Sequence, residues 1–147
     1  MHVMKVAVEV RALIPAPVEA VAAVAGDPSR APEWYANITT VQWQTTPPAM
    51  IGSRMDFVAQ FLGRRLAYTY EIVELDPGKR MVMRTADGPF PMETIYLWDP
   101  VDGGTLMTLC NRGEPHGFSR MAAPMMARAM KSAMTKDLER LSALVTS

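Results

Sequence analysis

The chain has 147 residues, 49% hydrophobic and 20% charged, which is the length and make-up of one globular domain rather than a disordered or fibrous chain. Fifteen basic side chains balance fifteen acidic ones, so no long-range field draws the protein to nucleic acid or to an anionic membrane. A single cysteine, Cys110, excludes an intrachain disulfide, and no apolar run approaches the ~18 residues of a membrane span.

The first ten residues, MHVMKVAVEV, alternate and carry Lys5 and Glu9, unlike a secretory leader, so a cytoplasmic location is expected. Residues 5–14 read as a half-buried strand. Val6, Val8, Val10, Ala12 and Ile14 share one face, and Lys5, Ala7, Glu9 and Arg11 share the other. Pro15 and Pro17 end it, because proline cannot donate to a ladder. Pro17 suits the first turn of a helix over 17–25, which Gly26 stops. Asp27 is placed to cap a second short helix, limited by Pro32.

The texture then changes. Segments 38–44, 53–62, 65–75, 80–86, 92–98 and 105–112 are rich in β-branched and aromatic residues. Turn signals separate them, at Pro47-Pro48, Gly63-Arg64, Asp76-Pro77-Gly78, Asp87-Gly88-Pro89 and Asp102-Gly103-Gly104. Such short links imply antiparallel hairpins, and the total is seven strands. Both faces of 92–98 and 105–112 carry apolar side chains, so their inward phase stays open.

Residues 118–146 return to helical spacing. Met126, Met130, Ala133, Met134, Leu138, Leu141 and Val145 form one stripe, with Arg128, Lys131 and Glu139 on the other side. Pro124 either opens this helix or kinks it. Asp137 sits at the edge of the apolar arc and is read as a surface partner of Arg140.

The fold class expected is α+β, a curved seven-stranded antiparallel sheet wrapped around a long C-terminal helix, with two short helices after the first strand, all in one domain over 1–147. The apolar face of the sheet must be covered, and the last helix is the only long element available. A twisted sheet curls more widely than one helix fills, so a cavity between them is expected.

Several motifs occur in a fixed order. Ile14-Pro15-Ala16-Pro17-Val18-Glu19-Ala20-Val21 resembles the I-x-A-P-x-E-x-V entry of the START-like superfamily, in its polyketide cyclase/dehydrase branch. Asp27-Pro28 with Glu33-Trp34, Glu74-Leu75-Asp76-Pro77-Gly78-Lys79-Arg80, Gly103-Gly104-Thr105 and Asp137-Leu138-Glu139-Arg140-Leu141 resemble later motifs of the same family. The resemblance implies the helix-grip fold. It also implies a choice among lipid or hormone binding, polyketide aromatase/cyclase activity and chaperone interaction. The family shares no catalytic motif, so no catalytic residue is carried over.

The residues add little conventional chemistry. No CxxC or HExxH spacing unites His2, His116 and Cys110, so no metal is expected. His116 is read as a capping or loop residue. No phosphate loop or nucleophile elbow appears, so no cofactor is expected, and Cys110 is read as a structural thiol. The leading expectation is a hydrophobic or aromatic small-molecule ligand, lined by Trp34, Met55, Phe57, Tyr68, Tyr70, Met83, Tyr96, Met107, Met126 and Met130. Trp34 or Tyr35 is placed to cover the cavity mouth, and each lining residue also has a core-packing reading. The alternative is an aromatase/cyclase- or dehydratase-like enzyme with Tyr68, Tyr70 and Glu93 as candidates, joined by Arg84 and Arg112 if these face inward. A third reading, a protein-interaction module, is opposed by polar outward faces (Arg54, Asp56, Gln60; Thr69, Glu71). A homodimer through a sheet edge stays open.

Overall fold

The computed structural model describes residues 5–115, 118 and 122–147. The strands are β1 (Val6–Ile14), β2 (Ile38–Trp43), β3 (Arg54–Phe61), β4 (Arg64–Asp76), β5 (Arg80–Asp87), β6 (Met92–Val101) and β7 (Gly104–Gly113). Helices α1 (Val18–Ala25) and α2 (Ala31–Trp34) lie between β1 and β2, and α3 (Ala123–Thr146) follows β7. Every strand pair is antiparallel, in the order β1-β7-β6-β5-β4-β3-β2, so β1 and β2 are the edges. The expected fold class is the observed one.

Local chemistry explains the boundaries. Pro17 caps α1 in an extended conformation, and the Gly26 N–H closes the helix on the Ala22 carbonyl at 2.8 Å. The Asp27 carboxylate accepts the Ser29 N–H at 3.0 Å and opens the 3₁₀ turn Pro28–Arg30 that leads into α2. Helix α3 begins at Ala123 with Pro124 in its first turn, five residues later than the apolar spacing suggests. Proline fits there because its missing N–H would have no intrahelical partner. It opens the helix and does not kink it. His116 lies outside the described residues.

Register shifts in β4, at Thr69/Tyr70 and Ile72/Glu74, add local twist where the sheet bends. The concave face then divides in two. At one end α1, α2 and the C-terminal half of α3 fill the grip with Ile14, Val21, Trp34, Met55, Met107 and Leu141, none more than 1% exposed. There the Thr105 hydroxyl donates to the Ala16 carbonyl at 2.8 Å, so the buried turn is satisfied. At the other end, among the described helices, only the N-terminal half of α3 covers the sheet.

The inward phase of the late strands is now settled. Thr94, Tyr96 and Trp98 of β6 and Met107, Leu109 and Asn111 of β7 share the concave side. Val82 and Ile95 lie opposite each other in register on the convex side, yet both are buried. Apolar side chains on both faces of β6 follow from that. The convex face also carries polar pairs, with Arg54 bonded to Glu71 at 2.9 Å and the Thr69 hydroxyl donating to Asp56 at 2.6 Å.

Asp137 is not at the surface. It pairs with Arg140 as its spacing suggests, but it is 2% exposed and accepts the Ala36 N–H at 3.2 Å. Arg140 Nε in turn donates to the Trp34 carbonyl at 3.0 Å. The pair ties α3 to the corner between α2 and β2 by satisfying backbone groups on both sides of it.

Gly104 starts β7 at φ +147°, and a Cβ there would stand 2.1 Å from the Ile14 carbonyl oxygen and 2.9 Å from Pro15 Cα. Both obstacles are backbone, so Gly104→Ala is expected to cost about 2 kcal/mol or more in urea unfolding. A loss below about 0.5 kcal/mol, the level of an ordinary surface change, would show that the β1 and β7 ends do not meet this closely.

Candidate functional site

The unfilled end of the grip is a cavity of about 160 Å³. Its floor is the alternating inward set of the central strands: Phe57, Ala59 and Phe61 of β3, Leu66, Tyr68 and Tyr70 of β4, Met83 of β5, Met92, Thr94 and Tyr96 of β6, and Asn111 of β7. Its roof is α3, through Met126, Met130, Ala133, Met134 and Asp137. These five follow the i, i+3, i+4 spacing of one helix face. Phe61, Phe90 and Phe118 gather at one end, with the Arg64 guanidinium 5.2 Å from the Phe118 ring centre.

Seven of the ten expected lining residues reach this space: Phe57, Tyr68, Tyr70, Met83, Tyr96, Met126 and Met130. Trp34, Met55 and Met107 do not. They have the right inward phase but lie at the filled end, where the short helices leave no room. Of the two aromatic residues expected near the mouth, Tyr35 lines the cavity and Trp34 stacks behind it, ring centres 4.1 Å apart. Glu93 borders the cavity, but its carboxylate points the other way and sits between Arg84 and Arg112 in a cross-strand trio on the convex face. Those charges therefore form no inward patch. Cys110 is also convex, its thiol donating to Glu9 at 3.3 Å, and burial and the Glu9 carboxylate push its pKa up.

Thr94, Asn111, Met134 and Asp137 join the site beyond the residues expected there. Thr94 shares phase with Tyr96, and Asn111 with Met107, which is the available signal. Asp137 is marked in the sequence only as a charge out of place beside an apolar helix face.

The polar groups of the cavity are few and differently committed. The Tyr35 and Tyr96 hydroxyls bond each other at 2.8 Å. The Tyr70 hydroxyl meets Thr94 Oγ1 at 2.7 Å, and Thr94 donates to Asn111 Oδ1 at 2.7 Å. Tyr68 stacks on Phe57 and stands edge-on to Tyr70 with ring centres 5.0 Å apart. Its hydroxyl has no hydrogen-bond partner among the described residues. Burial pushes the pKa of all four phenols above the ordinary tyrosine value, and for Tyr68 the neighbouring Tyr70 and Tyr96 phenols add to it. All four therefore keep their protons through the physiological range.

The sequence pattern of the family described as polyketide cyclase/dehydrase and lipid transport matches residues 5–146. The chain belongs to this family. Its START-like, helix-grip architecture is shared with several solved structures. A protein of Thermus thermophilus is 21% identical, with a TM-score of 0.80 over 95% of this chain and 97% of the other. A START superfamily protein of Mycobacterium smegmatis is 14% identical, with a TM-score of 0.79 over 97% of each chain. Major latex-like protein 151 of Panax ginseng is 15% identical, with a TM-score of 0.77 over 98% of this chain and 99% of the other. At such identities the likeness is one of fold. No curated protein matches the chain in sequence. Among the described residues no helix is long and apolar enough to cross a membrane.

Asp137 gives this helix-grip site a pH dependence. Burial raises its pKa, and the Ala36 N–H and Arg140 offset only part of that. A carboxyl with a raised folded pKa contributes stability that is fully present below its unfolded pKa and is lost as pH rises through the folded value. Asp137→Asn removes that loss. The variant is therefore expected to gain stability relative to the parent between about pH 4 and neutrality, measured by urea unfolding at both ends. A difference that stays constant over the range would mean that the carboxyl is not desolvated in the folded protein.

Proposed function

We propose that the protein binds a neutral, largely apolar small molecule in the cavity between α3 and the concave sheet. The observation that carries this reading is a cavity with aromatic and Met lining that includes Tyr68, a phenol with no hydrogen-bond partner among the described residues. Protein interiors are close-packed, and a dry void costs ~24 cal/mol per Å³, so this one would cost about 4 kcal/mol if nothing entered it. Its volume corresponds to roughly 11–16 water-sized spheres, at ~10–15 Å³ each, which suits a ligand of about that many heavy atoms. Methionines on the roof adapt to an irregular apolar guest. The buried Asp137 carboxylate disfavours an anion, and the protonated phenols offer neutral hydrogen bonds.

The enzymatic alternative narrows on the same facts. Glu93 faces away, and phenols with raised pKa values do not accept protons near neutrality. What remains is polarisation of a ligand carbonyl by Tyr68, a role that requires binding first. The balanced charge supports a small-molecule partner over nucleic acid, and the lone thiol suits a reducing, cytoplasmic setting.

Naphthalene, ten carbons and no polar group, tests the cavity directly. It should bind the parent protein in calorimetry, and Ala133→Phe, which places a ring in the cavity from the α3 roof, should weaken it at least tenfold, about 1.4 kcal/mol. The thermal transition of the variant should stay cooperative. Equal affinity for parent and variant would place the bound naphthalene elsewhere and remove the basis of the proposal.

A further inference from the structure

The hydrogens of the cavity have a direction, and the direction selects the ligand. Thr94 has one hydroxyl hydrogen, and it is spent on Asn111 Oδ1, an oxygen that only accepts. The Tyr70–Thr94 contact at 2.7 Å must then use the Tyr70 hydrogen. Tyr70 is left with lone pairs only for anything else in the cavity. Tyr68 is the reverse case, since it lines the same space and its hydroxyl hydrogen is unspent among the described residues. The two rings are edge to face with centres 5.0 Å apart on one strand, so a phenol that can donate and a phenol that can only accept line the same part of the cavity.

We propose that the cavity selects ligands with a ring-borne hydroxyl, a phenol or an enol, whose oxygen accepts from Tyr68 and whose hydrogen is donated to Tyr70. Ethers and ketones of the same shape satisfy Tyr68 alone and leave the Tyr70 oxygen facing a group that cannot donate. Thr94 is the positioning residue: it touches Tyr70, and by holding the Tyr70 hydrogen it makes that phenol an acceptor. The inference rests on the proposed binding role of the cavity, and it adds a preference that an apolar cavity alone would not have.

Three probes on one ring system separate the two ideas: a naphthol, its methyl ether and naphthalene, titrated calorimetrically into the parent protein, Tyr68→Phe, Thr94→Val and Thr94→Ser. In the parent protein the naphthol should bind about fivefold tighter than the ether, the worth of one neutral hydrogen bond. Tyr68→Phe should lower the naphthol and the ether by about the same factor and leave naphthalene unchanged. Thr94→Val releases the Tyr70 hydrogen, so the naphthol-to-ether ratio should collapse toward one, and Thr94→Ser, which keeps the hydroxyl, should restore it. A merely structural role for Thr94 would weaken all three probes together. If naphthalene binds and the parent protein treats naphthol and ether alike, this inference is overturned and the binding role stands. If none of the three binds, both fall. Should Thr94→Val fail to fold, the parent ratio and the Tyr68→Phe series decide the matter alone.

Discussion

Everything in this structure depends on a mismatch of widths between the concave sheet and one helix. A seven-stranded antiparallel sheet with an apolar concave face has to be covered, and its twist makes the concavity wider than a single helix can fill. The chain meets this at one end by adding α1 and α2, which complete a solid core around Trp34, Met55, Met107 and Leu141. At the other end, among the described helices, only the N-terminal half of α3 covers the sheet. The cavity is the remainder of that geometry, and its lining is the same inward register that makes the core elsewhere.

The Asp137–Arg140 pair sits at the border between the two ends. It is costly to bury a carboxylate, and that cost is accepted where one side chain can satisfy the Ala36 N–H while its partner satisfies the Trp34 carbonyl. The pair fixes the corner from which Tyr35 reaches Tyr96. A structural fastening therefore doubles as one wall of the cavity. The Tyr70–Thr94–Asn111 chain behaves similarly. It satisfies three polar groups of the sheet, and in doing so it decides which of the neighbouring phenols can still donate.

Functional reading of helix-grip proteins has to proceed from such details, because the fold serves binding and catalysis alike. Here the charged trio Arg84, Glu93 and Arg112 lies on the convex side, and the cavity phenols keep their protons. The chemistry left inside is hydrogen bonding in an apolar setting, the usual means of orienting a small ligand.

The sequence by itself determined the order and type of nearly every element, because strand alternation, helical spacing and proline or glycine punctuation are local signals. It also determined the inward phase of β1, β3 and β4, where polar and apolar residues alternate cleanly, and so found Phe57, Tyr68 and Tyr70 as cavity residues. The phase of β6 and β7 was not legible, because both carry apolar side chains on the convex face as well, Ile95 of β6 buried against Val82 of β5 and Leu106 of β7 opposite Leu13. Position along a strand was not legible either. Met55 and Phe57 share a face and a texture, and only the docking of α1 and α2 makes one core and the other cavity wall. The tertiary structure alone decided that Glu93 turns away, that Asp137 turns in, and that Tyr70 has spent its hydrogen while Tyr68, among the described residues, has not. Each of these depends on partners 9 to 101 residues distant in the chain, a separation over which no local pattern carries information.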